Sequence, residues 1–100
     1  MTYIEDVADE IHRRLPTRLQ SPDRERGLYL IYAVLVLTVG EQVTREDVHN
    51  AWAAWMAFEG RTHTSVKPFL DLSAADQERD EPFRKAIQEV ARLYARQRSR

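Results

Sequence analysis

Residues 28–40 read LYLIYAVLVLTVG. From Leu28 to Val39 the side chains are aliphatic apart from two Tyr and one Thr, with no charge to turn toward water. Such a run is apolar on nearly every face, so it belongs to a helix that other elements surround. It falls well short of the roughly twenty apolar residues that a bilayer span needs. The stretch therefore predicts the central, most buried helix of a small helical domain. Its start is read at Ser21 as the N-cap, with Pro22 at the first helical position and Asp23 in the first turn. Its stop is read at Gly40, where a residue without Cβ takes the left-handed conformation at low cost.

A central helix needs partners, and the flanks supply them. Upstream, Thr2 and Glu5 have the spacing of a capping box. Ile4, Val7, Ala8, Ile11 and Leu15 then recur at helical spacing until Pro16 ends the helix. Downstream, Thr44 caps a third helix with Glu46 and Asp47 in its first turn. Val43 and Val48 have the spacing of a hydrophobic staple. Val48, Ala51, Trp52, Trp55 and Met56 line one side, and Gly60 closes the helix. Ser73 and Asp76 open a short turn. Asp80 is read as the cap of a last helix, with Pro82 near its start and Phe83, Ile87, Val90, Ala91 and Tyr94 as its buried stripe.

Between these helices, Arg61 to Leu72 has no helical period. Val66, Pro68 and Leu70 alternate there, which predicts an ordered loop with a short edge strand. The expected fold is mainly α: four main helices around an ordered irregular loop, with at most one or two short strands, in a single domain over 1–100. The Arg-rich stretch that begins at Arg92 is expected to fray past the final helix, with 96–100 as a basic tail.

Composition excludes several classes of chemistry. The 100 residues contain no Cys, which removes disulfides, thiol catalysis and thiolate metal sites. Fifteen Lys and Arg against sixteen Asp and Glu leave a formal charge of -1, so no overall field draws the chain to nucleic acid or a membrane. The first ten residues carry four acids, no base and no apolar run, unlike a secretory signal. The expected compartment is the cytoplasm.

The three His are His12, His49 and His63. His12 is read as a solvated surface residue. His49 and His63 sit on a helix and in the loop without the spacing of a zinc site. Asp71, Asp76 and Asp80 do not match a calcium loop. Ser21 and Ser73 are explained as caps, and Ser65 near His63 lacks an orienting acid. The glycines are isolated, so no phosphate loop exists. These readings point away from an enzyme, a metal site and a cofactor. Gly40 to Trp55 has the outline of a turn feeding a recognition helix, but Glu46 and Asp47 at its start would repel phosphate.

One stretch, Val48 to Phe69, is not accounted for as plain core. Trp52 shares a helix face with His49 and faces a loop that holds His63, Lys67 and Phe69. Those side chains could form a pocket that stacks a planar ring, with an imidazole or ammonium beside it. Packing of Trp52 against the loop explains the same residues without a ligand.

The run Glu46-Asp47-Val48-His49-Asn50-Ala51-Trp52 resembles the E-N-V-H-x-x-W helix of the RyR domain, the repeat module of ryanodine receptors that also occurs alone in bacterial and phage proteins. His63-Thr64-Ser65-Val66-Lys67-Pro68-Phe69 is similar to that family's H-P-x-L-x-P-Y loop, with Thr64 in place of Pro and Phe69 in place of Tyr. Leu72, Gln77 and Asp80 loosely follow its continuation. The family's G-W-x-Y-G segment between the two motifs is absent. The likeness covers 44–95 and leaves 1–43 as an added helical hairpin, similar to those of small actinobacterial and actinophage proteins of unknown function.

The resemblance implies a non-catalytic binding module for a nucleotide-like or other planar small molecule, with His49, Trp52, His63, Lys67 and Phe69 as the ligand-binding residues. The family's modules work in tandem pairs, so a homodimer is expected here, aided by the apolar surface of 28–39. Two other readings stand beside it. One is a protein-interaction or structural module with no ligand. The other is a weak nucleic-acid binder that uses Arg13, Arg14, Arg18 and the basic tail.

Overall fold

The computed structural model describes residues 2–20 and 25–98. Among the described residues five helices follow one another: α1 (Tyr3–Arg14), α2 (Arg26–Thr38), α3 (Arg45–Phe58), the short α4 (Ala74–Glu78) and α5 (Glu81–Arg98). The four long ones are those expected, and the fold is mainly α. Short 3-10 turns at Thr17–Leu19, Gly40–Gln42 and Phe69–Asp71 fill the connections. The described residues contain no strand, and none of their helices is long and apolar enough to cross a membrane.

The caps behave as local chemistry dictates. In α1 the Glu5 amide donates to the Thr2 hydroxyl while the Glu5 carboxylate accepts from the Thr2 amide. In α3 Thr44 and Asp47 exchange the same pair of bonds. Each box satisfies amides that a helix start leaves without partners. The α3 C-terminus is a Schellman motif: the Arg61 amide donates to the Met56 carbonyl and the Gly60 amide to the Ala57 carbonyl. That geometry needs a left-handed residue, and Gly60 supplies it at φ +67°. Gly40, at φ +71°, turns the chain after α2 in the same way. The proposed cap of α2 at Ser21, Pro22 and Asp23 lies outside the described residues.

The apolar stripes converge on one core. Val7, Ala8, Ile11 and Leu15 of the first segment meet Leu28, Tyr29, Tyr32, Ala33 and Val36 of α2. Val48, Ala51, Trp55 and Met56 of α3 and Ala86, Ile87, Val90 and Ala91 of α5 complete it. α2 packs on α1, α3 and α5, as its all-round apolar sequence requires. Most of its surface is therefore covered within the chain, with Val34 and Val39 left exposed.

Ion pairs set the helix registers. Arg26 of α2 reaches Asp9 at 2.9 Å and Glu5 at 3.3 Å on α1. Arg45 in the first turn of α3 reaches Glu81 in the first turn of α5 at 2.9 Å. Arg84 also holds Glu81 and, with Arg45, draws its carboxyl down to about 2.

Three local expectations change. The edge strand expected around Val66–Leu70 is a run of turns, because nearby carbonyls already take the amides of Val66 and Lys67, and Pro68 has none to give. The fraying expected from Arg92 gives way to helix through Arg98, and Arg92 pairs with Glu41 at 3.1 Å. His12 is half-buried, with its ring edge-on to Tyr29 at 5.2 Å.

Candidate functional site

The Arg45–Glu81 pair brings the start of α3 beside the start of α5. One turn along α3, His49 comes to face Asp80, the residue just before α5, and Trp52 follows on the same side. The loop after Gly60 folds back over this face. Between α2, α3, the loop and the α4–α5 corner lies a cleft of about 360 Å³. That volume is within the range of small-molecule pockets, roughly 300–1,000 Å³.

The deep wall of the cleft is apolar: Leu28, Tyr32, Trp55, Met56 and Leu72 are all buried. Trp55 is only 4% exposed. Gly27 lets α2 come this close to it, since a Cβ there would meet the indole nitrogen at 3.2 Å. The Arg61 guanidinium, placed by the Schellman turn, lies over the Trp55 ring at 4.9 Å from its centroid, a cation–π arrangement. Trp52 is different, because it is half-buried and borders the open space. Its indole has the His49 ring on one side at 5.6 Å, and the His63 ring meets it edge-to-face at 5.6 Å.

His49 is 3% exposed, although it is polar. Its Nε2–H donates to the Lys67 carbonyl at 2.7 Å, which pins the loop to α3. A carbonyl can only accept, so Nε2 carries the proton, and in the neutral ring Nδ1 presents its lone pair. The Gln77 amide adds a second anchor by donating to the Phe69 and Leu72 carbonyls. In His63 the roles differ: Nδ1 accepts from the Ser65 amide at 3.0 Å, so the neutral ring carries its proton on Nε2.

The His49 Nδ1 stands 4.0 Å from the Asp80 carboxylate. The Asp80 side chain is 17% exposed and borders the cleft. Burial raises its carboxyl from an ordinary 3.8 to about 6, with His49 and Arg45 opposing the rise. The same carboxylate adds to the burial that pushes the Tyr32 phenol well above its usual value. Across the cleft Asp76 and Arg79 pair at 3.5 Å. Among the described residues, no group of three His, Asp or Glu is placed to hold a metal ion.

Three of the five residues singled out by sequence line this cleft: His49, Trp52 and His63. Lys67 is exposed and contributes its backbone carbonyl to His49. The Phe69 ring packs against the His49 ring at 6.0 Å and is not part of the lining. Asp80 was missed as a site residue. An Asp just before a helix reads as a cap, yet among the described residues its carboxylate takes no hydrogen bond from α5.

The fold and this cleft define a small helical domain with an aromatic-lined hollow on one side. The chain belongs to the family of the domain of unknown function DUF7701, whose model matches residues 2–92. No curated protein and no solved structure matches it.

Proposed function

We propose that the protein is a non-catalytic binding module whose cleft takes a planar, nucleotide-like or other aromatic small molecule, stacked on Trp52. The observation that carries this reading is the contrast between the two indoles. Trp55 is sealed in the core, whereas Trp52 is half-buried at the edge of the 360 Å³ cleft. A large flat side chain kept at a concave surface is what stacking of a ring requires. The likeness to the RyR domain adds support, because His49, Trp52 and His63, three residues that carry it, meet at this indole. Titration of a nucleotide and nucleobase panel against intrinsic tryptophan fluorescence tests the reading. Binding should quench the emission, and Trp52→Ala should abolish the response while leaving the fold intact. A panel without response, together with an unfolded Trp52→Ala variant, would reduce Trp52 to a packing residue.

A second reading, docking of a protein partner or a second copy of the chain, is favoured by Phe58 and Leu70, which are 87% and 81% exposed. Large apolar side chains that open are commonly covered in an assembly. Sedimentation at micromolar concentration decides it for self-association: a two-chain mass supports the dimer, and a one-chain mass removes it.

A further inference from the structure

The Asp80 carboxylate is a costly group to keep at this wall, because burial disfavours its charged form. Its side chain is largely buried at the cleft wall, and His49 Nδ1 stands 4.0 Å from it. Among the described residues neither carboxylate oxygen accepts a hydrogen bond. Among the described residues, Arg45 is engaged by Glu81, Arg79 by Asp76, and Arg61 lies on the Trp55 ring. The Nε2 proton of His49 is spent on the Lys67 carbonyl, so Nδ1 is the ring nitrogen that faces Asp80. In the neutral ring, His49 Nδ1 and the Asp80 carboxylate thus present two acceptors 4.0 Å apart at the wall of an aromatic cleft.

That arrangement is the complement of a nitrogen that carries two hydrogens, one for each acceptor. An acidic group beside flat aromatic walls also favours a delocalised cation, which loses less hydration than a compact one. We infer that the cleft selects planar ligands with a hydrogen-bond-donating, amidine-type edge, as in an aromatic amidinium or an aminoheterocycle, with Asp80 as the anchor and His49 Nδ1 as the second acceptor. This rests on the Trp52 stacking reading and adds its polar specificity. A carboxylate desolvated by a bound ring penalises ligands that lack the donor, which is how a site rejects an isostere.

Three probes of one shape separate the alternatives at pH 7.5: benzamidine as the cation, benzamide as the neutral donor, and benzoate as the anion. Calorimetric titration of the wild type should rank benzamidine at least tenfold tighter than benzamide, with benzoate weakest. In Asp80→Asn that preference should shrink to within twofold, while circular dichroism shows an intact helical fold. His49 is left unaltered in this test because it also holds the loop. If all three probes bind alike and only Trp52→Ala weakens them, the stacking site stands and the Asp80 anchor is wrong. If benzamidine binds Asp80→Asn as well as it binds wild type, the anchor is likewise wrong. If no probe binds at millimolar concentration, the inference and the stacking reading fall together.

Discussion

Replacement of Asp80 by Asn should stabilise the protein at neutral pH. The folded state holds this carboxyl at about 6 against an ordinary 3.8. At roughly 1.4 kcal/mol per pH unit, that gap corresponds to about 3 kcal/mol of charge burial in the folded state. The carboxylate still touches solvent, and screening there brings the expected gain to about 1–2 kcal/mol. The sign follows from proton linkage. Between pH 4 and 6 the folded state binds more protons than the unfolded chain, so this contribution to stability is present below the unfolded value and is lost as pH rises through about 6. The Asn side chain carries no charge to bury, so the variant should be more stable at pH 7–8 and should match wild type near pH 4. Urea denaturation followed by circular dichroism at several pH values measures the difference. Destabilisation by Asp80→Asn at pH 8, or a difference that does not change with pH, would refute the reasoning and make the carboxylate a structural partner. The expected result would fit a binding residue, since such residues are commonly held in the folded state at some expense of stability.

The two tryptophans should separate in the same denaturation assay. Trp55→Ala should cost about 3–5 kcal/mol, as for a large core residue, and the half-buried Trp52→Ala roughly 1–2 kcal/mol; equal losses would place both indoles in the core. Glu81→Gln should act opposite to Asp80→Asn. Arg84 and Arg45 lower the Glu81 carboxyl to about 2, so its contribution is present above its unfolded value and is lost as pH falls through about 2. After screening at this partly exposed pair, the loss at pH 7 should be no more than about 1 kcal/mol, and a larger destabilisation at pH 3 than at pH 7 would contradict it. His49→Leu should remove the donor to the Lys67 carbonyl and cost about 1–3 kcal/mol. Amide hydrogen exchange at Val66 and Lys67 should accelerate in that variant, and unchanged protection would show that Gln77 alone holds the loop.

The helical frame was legible because its signals are local. Thr2–Glu5 and Thr44–Asp47 form capping boxes from spacing alone, and Gly40 and Gly60 adopt the positive φ that ends their helices. The stripes at 3.6-residue period agree with these caps, and such agreement between levels is what makes a helix readable. The loop was less legible, because long-range bonds decide its path: His49 from eighteen residues upstream takes the Lys67 carbonyl, and Gln77 takes two more. Nothing in Val66-Lys67-Pro68 announces those partners. Within the site, the pairing of His49 with Trp52 followed from helical spacing, and His63 joined them through the loop. Lys67 was chosen for its ammonium and serves through its carbonyl, a role that any residue type could fill. Asp80 escaped notice because its position before α5 gave it a sufficient local explanation. The packing of α3 on α5, with the Arg45–Glu81 pair at its end, places it opposite His49.

The account rests on Trp52 bordering space that a ligand can fill. The chain has two Trp, so Trp55→Phe leaves Trp52 as the single reporter. Acrylamide quenching of that variant, with and without saturating benzamidine, is the most direct measurement. The account predicts that the free indole is readily quenched and that benzamidine shields it. An indole that acrylamide cannot reach, or whose quenching is the same with and without the probe, would contradict it.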